Sequence, residues 1–104
     1  MTDPIEILRA QFNDETGKLS WQELERHFAR GIVIHVARSL DLVAVAASIA
    51  QNDKAAVERW MSYDLIGRAT SDQAKDWQQR QASFWAVVTA PWVLVQEIGP
   101  ALNT

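Results

Sequence analysis

Apolar residues along this chain fall into short groups whose spacing alternates between the period of a helix, roughly 3.6 residues, and the unbroken β-branched runs of covered strands. Ile5, Leu8 and Phe12 share one helical face behind Asp3, Pro4 and Glu6. These three suit an N-cap, a first helical position and a first-turn acid, and Gly17 is the expected stop. Ser20 with Glu23 forms a capping box, opening a second helix. It buries Trp21, Leu24 and Phe28, turns Glu23, Arg26, His27 and Arg30 mostly outward, and ends at Gly31. Ile32 to Ala37 is β-branched and reads as the first strand, so two helices are expected before any strand. Leu40 to Ala50 is too uniformly apolar for a surface helix and is predicted to be buried. Asp53 caps a further helix with Val57, Trp60 and Met61 inward. Leu65 to Ala69 is a short strand candidate loosened by Gly67. Thr70 with Gln73 is a second capping box, and its helix carries Ala74 and Trp77 inward and Asp72, Lys75, Asp76 and Arg80 outward.

Phe84 to Glu97 carries no charge before its last residue, which is the pattern of a strand covered on both faces. As one strand it would run about 45 Å, too long for a domain of this size to cover, so Pro91 must mark a bulge, a bend or a new element. Two continuations are open: a second strand, favoured by the β-branched content, or a short helix from Pro91 that stops at Gly99 and Pro100. Strands separated by helices predict a mixed α/β fold, a small sheet covered by helices in a single domain over residues 1–104.

At 104 residues with 48% hydrophobic residues, the chain can build a core without metal or disulfide staples, and it is expected to fold without metal. A net charge of −3 with dispersed basic residues argues against nucleic acid as a partner. The absence of cysteine removes disulfides, thiolate catalysis and cysteine-based zinc sites. No secretory leader or membrane-length apolar run is visible, so a cytoplasmic protein of bacterial style, with no membrane partner, is expected.

The order and spacing of several segments resemble a bacterial family of short proteins known as domain of unknown function 2288. The likeness rests on Leu24-Glu25-Arg26-His27-Phe28-Ala29-Arg30-Gly31, on Leu40-Asp41-Leu42-Val43, and on Asp53-Lys54 with Val57 and Trp60. It continues through Gln73-Ala74 with Trp77 and is densest at Pro91-Trp92-Val93-Leu94-Val95-Gln96-Glu97. The resemblance implies a standalone cytoplasmic module and transfers no catalytic residue.

The sequence offers no catalytic constellation. Serine lacks a nucleophile elbow, the four glycines are not clustered, and most acids sit at helix starts where capping explains them. Glu23 and His27 share a helical face but make only two metal ligands, so no metal or other cofactor is indicated. Arg26, His27, Arg30 and His35, near Arg38, form the densest cationic neighbourhood and are candidates for a small anionic ligand, joined by Gln96 and Glu97 at the end of the apolar run. Five tryptophans exceed what a small core needs, and Trp85 and Trp92 flank Pro91, so these three residues are candidates for an interface, most simply in a homodimer. Two functions stay open: a non-catalytic, self-associating interaction module, or an anionic-ligand binder or minor enzyme.

Overall fold

A computed structural model describes residues 4–98. They form five helices and five strands in the order α1 (Pro4–Glu15), β1 (Gly17–Ser20), α2 (Trp21–Ala29), β2 (Val33–Val36), α3 (Leu42–Ala50), α4 (Lys54–Ser62), β3 (Ile66–Arg68), α5 (Ser71–Arg80), β4 (Ser83–Thr89) and β5 (Trp92–Glu97). This is the α+β fold expected from the pattern, with a strand more than expected. β1 lies between the first two helices, where Gly17 begins a strand instead of simply stopping α1. The proposed cap at Asp3 and the possible stop at Gly99 and Pro100 lie outside the described residues.

The strands form one sheet in the order β1-β4-β5-β2-β3. Only β2 and β5 pair in parallel; the other neighbours are antiparallel. It follows that β1 runs parallel to β2 and β3 parallel to β4, so α2 and α5 are both crossovers between parallel strands. The strand pairs point opposite ways and the crossovers travel across the sheet in opposite senses. The right-handed rule therefore sends both helices to the same face. Their buried side chains obey it: Trp21 and Leu24 of α2 and Ala74 and Trp77 of α5 share one cluster with Val33, Phe84, Ala86, Val93 and Val95. Helices α1, α3 and α4 take the opposite face, where Phe12, Leu42, Val45, Ala46 and Ala47 meet Val36, Ile66, Val87 and Leu94.

Local chemistry sets most of the boundaries. Both capping boxes form as expected, Ser20 with Glu23 and Thr70 with Gln73, and Asp41 and Asp53 cap α3 and α4. Helices α3, α4 and α5 end in residues with positive φ, namely Asn52, Asp64 and Gln81, and Gly31 does the same after α2. Asn and Asp tolerate that conformation best after glycine, which explains the breaks at Asn52 and Asp64 that no glycine marks; the one at Gln81 is not explained by residue type. Ala90 and Pro91 form a two-residue hairpin turn with a cis peptide bond between them. Proline thus stands between two strands and not on one. β5 runs Trp92–Glu97 as the middle strand of the five, which settles the strand alternative and makes Pro91 the turn into a new element, not a bulge.

Candidate functional site

At the β3 end of the sheet, α4 stands away from the strands and leaves a groove of about 570 Å³. Ile34, Ile66 and Trp92 from three neighbouring strands supply one apolar wall. Ile49 of α3 and Val57 and Met61 of α4 supply the other, and Asn52, Asp53, Lys54, Glu58 and Arg68 bring polar ends to it. Register explains why these meet. Ile34 pairs with Arg68 on one side and Leu94 on the other, so Arg68 projects to the same face as Leu94 and Trp92. Its guanidinium lies 5.2 Å from the centre of the Trp92 ring. A guanidinium over a ring can still offer N–H donors to another group, and the described salt bridges, Arg9 with Asp41 and Arg80 with Asp76 and Glu97, leave Arg68 and Lys54 out. Asp53 accepts the Ala56 amide at 3.2 Å and so already serves as the α4 cap.

The residues singled out from the sequence are placed differently. Arg26 and Arg30 are exposed on and just after α2; the Arg30 amide donates to the His27 carbonyl at 3.1 Å as part of the helix end, but among the described residues no side-chain hydrogen bond or ion pair links either arginine to a histidine. His27 lines a smaller hollow with Lys18, Leu19, Val88 and Val93, where its Nδ1 is buried without a hydrogen-bond partner among the described residues. His35 sits on the α2/α5 face between Gly67 and Val95. A Cβ at Gly67 would stand 3.4 Å from its Nε2, so the glycine leaves room for the ring. Burial pushes the His35 imidazole below its ordinary value, partly countered by the Asp64 carboxylate.

Gln96 and Glu97 are neighbours on a strand and therefore point to opposite faces. The Gln96 amide donates to the carbonyls of Ala37 and Leu40 at 2.9 and 2.7 Å, fastening the β2–α3 connection to β5. Glu97 accepts from Arg80, which also grips Asp76 through two hydrogen bonds and so ties α5 to the sheet. Of the tryptophans, Trp21 and Trp77 are buried and Trp60 is partly buried, as their stripes predict. Trp85 is exposed beneath the Lys18 ammonium, 5.3 Å from its ring, at the opposite end of the hairpin from Trp92. Met61, expected inward on α4, is exposed at the groove mouth instead.

Arg68 and Lys54 are the site residues that the sequence reading missed. A visible signal was a cation directly after Gly67 in a strand too short to be central. No group of three or more His, Asp or Glu side chains among the described residues is placed to hold a metal, and no described helix is long and apolar enough to cross a membrane.

The model of a family described as a protein of unknown function, DUF2288, matches residues 7–97. The chain belongs to that family. A similar fold is found in a family-sized relative, PA1075 from Pseudomonas aeruginosa, whose solution structure was determined by NMR. It is 39% identical, with a TM-score of 0.80 over 100% of this chain and 96% of that one. No curated protein matches the chain. The family carries no assigned activity, so a functional reading of this DUF2288 chain has to come from its own groove.

Proposed function

We propose that this protein is a non-catalytic binding module of the bacterial cytoplasm that holds a small amphipathic anion in the groove beside β3. The observation that carries the reading is the Arg68 guanidinium over the Trp92 ring, 5.2 Å from its centre, beside the apolar walls of the groove. The cation–π contact favours that position of the cation, and its N–H donors can take a carboxylate or phosphate bidentately. The volume, about 570 Å³, falls within the range of small-molecule sites, and Ile34, Ile66, Val57 and Trp92 suit an aliphatic or aromatic body. Asp53 and Glu58 share the α4 wall with Lys54, so the anionic head is assigned to the β3 side, at Arg68. This moves the anionic-ligand alternative away from Arg26, His27, Arg30 and His35. Glu97 and Gln96 support the fold in the same reading.

The test is a titration of amide chemical shifts with decanoate, with decanol and inorganic phosphate as separate controls. Decanoate is expected to shift Ile34, Ile66, Arg68 and the Trp92 indole, and to bind more tightly than either control. Arg68→Gln is expected to weaken decanoate about tenfold, equivalent to about 1.4 kcal/mol, and to leave decanol unchanged. Shifts confined to the α2/α5 face, or an unchanged affinity in the variant, would overturn the reading.

A further inference from the structure

The groove beside β3 is lined by charges of both signs. Lys54 and Arg68 are cationic and Asp53 and Glu58 anionic, so the lining balances to neutrality in a chain whose net charge is −3. The field of the whole chain gives no help to a ligand that is only an anion, whereas a ligand carrying a positive group as well is not repelled by it. The two signs also stand on different walls. Arg68 belongs to β3 and lies over the Trp92 ring, and Glu58 belongs to α4.

Lys54, Val57, Glu58 and Met61 are spaced three and four apart, so they make one stripe of the helix, and all four line the groove. Nothing in the wall itself satisfies Glu58. Asp53 is already the α4 cap, accepting the Ala56 amide at 3.2 Å. Lys54 precedes Glu58 by four residues, the less favourable order for a helical ion pair, and no described salt bridge joins them. Glu58 does not reach Arg68 either, and among the described residues it has no hydrogen bond or ion pair. Depth separates charge from apolar surface: Glu58 and Arg68 are exposed, whereas Ile34, Val57, Ile66 and Trp92 are buried or half-buried. A carboxylate and a guanidinium, each without an ionic partner, thus border the mouth of one apolar space from opposite sides.

We propose that the occupant is a zwitterion, a free amino acid with a large apolar side chain. Its carboxylate meets Arg68, its ammonium meets Glu58, and its side chain lies among Ile34, Val57, Ile66 and Trp92. The proposal rests on the reading in which Arg68 takes an anionic head, and adds the second charge to it. An α-amino acid carries both charges on one carbon, so its head can span the mouth while its side chain goes to the apolar floor. A ligand with its two charges at opposite ends would have to lay its chain along the exposed rim.

The test is a titration of amide and indole shifts with phenylalanine, with hydrocinnamate, which is phenylalanine without its ammonium, and with phenethylamine, which lacks the carboxylate. Phenylalanine is expected to shift Val57, Glu58, Ile66, Arg68 and the Trp92 indole and to bind about tenfold more tightly than either analogue. Glu58→Gln changes an exposed helix position to a residue of similar helix propensity, so the variant is expected to fold as the wild type does. It is expected to remove the advantage of phenylalanine over hydrocinnamate and to leave hydrocinnamate no weaker. Arg68→Gln is expected to weaken both carboxylates. If hydrocinnamate or phenethylamine binds the wild type as tightly as phenylalanine, or Glu58→Gln leaves the affinity for phenylalanine intact, the zwitterion is overturned; hydrocinnamate or decanoate binding at Arg68 in the same experiment would leave the anion reading standing. If neither phenylalanine, hydrocinnamate nor decanoate shifts Arg68 and Trp92, both fall.

Discussion

The two faces of the sheet are built from different materials. On the α2/α5 side, aromatic rings interlock: Trp21 lies 5.8 Å from Phe28 and 6.0 Å from Trp77, and Trp77 meets Phe84 edge to face at 4.9 Å. On the α1/α3/α4 side the contact beneath α3 is aliphatic and small, with Phe12 of α1 the one ring among its buried residues. Val45, Ala46 and Ala47 of α3 are fully buried against Val87 and Leu94, with Trp92 at the margin. Large rings fill the space beneath the two crossovers and leave the smaller hollow beside His27 and Val88, whereas alanines bring α3 close to the sheet and the larger groove opens between α4 and β3. The difference teaches how side-chain size sets the openings: rings leave a small hollow on one face, and small residues leave the other open at one end.

The comparison breaks most visibly at Phe84, which is fully buried and has Trp77 against its edge. Phe84→Ala is expected to cost about 3–5 kcal/mol of folding stability, because a rigid aromatic cluster relaxes poorly into the space left. Urea denaturation followed by tryptophan fluorescence measures it. The same truncation at half-exposed Trp92 is expected to cost clearly less, since one side of that ring already faces the groove. Equal losses at the two positions would mean that the faces are not distinct in packing.

A second change acts on the aliphatic face. Ala47→Leu adds three carbons where α3 is packed against the sheet with no exposed surface, and is expected to cost about 1–3 kcal/mol by overpacking. Because α3 and α4 adjoin, lifting α3 should also alter the groove, so amide shifts at Ile49, Val57 and Trp92 are expected to move in the variant while Trp77 and Phe84 stay in place. A variant as stable as the wild type, with no shift at the groove, would show that α3 does not set its width.

This division was partly legible in the amino acids. The aromatic stripes Trp21, Leu24, Phe28 and Ala74, Trp77 announce their helices and burial, because capping boxes fix where the helical period begins. Leu42–Ala50 reads as buried for the same reason, that almost nothing on it is polar. β1 was hidden. Gly17, Lys18, Leu19 and Ser20 have no β-branched residue, and their strand conformation comes from pairing with β4, 63 to 69 residues away in sequence. Trp92 read as an interface candidate because proline suggests interruption beside it, yet the same proline in a two-residue turn returns the chain into the middle of the sheet. The groove was less visible still, since Ile34, Val57, Arg68 and Trp92 come from four separate elements and only the register of β2 with β3 and β5 brings them to one face.

The smallest expected effect tests a polar residue on the otherwise apolar ring-filled face. His35 sits between Gly67 and Val95, and its burial lowers the imidazole pKa below 6.5, with Asp64 opposing the shift. The folded protein therefore holds this proton more weakly than the unfolded chain does, and unfolding takes up a proton at pH values between the folded pKa and the ordinary one. His35 accordingly contributes full stability above the ordinary pKa and loses it as the pH falls. Comparing urea midpoints at about pH 7.5 and about pH 5.5 should show a larger drop in the wild type than in His35→Gln, which cannot titrate in that window. The variant's own stability at the higher pH is a separate matter of packing against Gly67, so only the difference between the two pH values is diagnostic. If both proteins lose the same amount between those pH values, His35 is not the desolvated group that its place between two strands makes it.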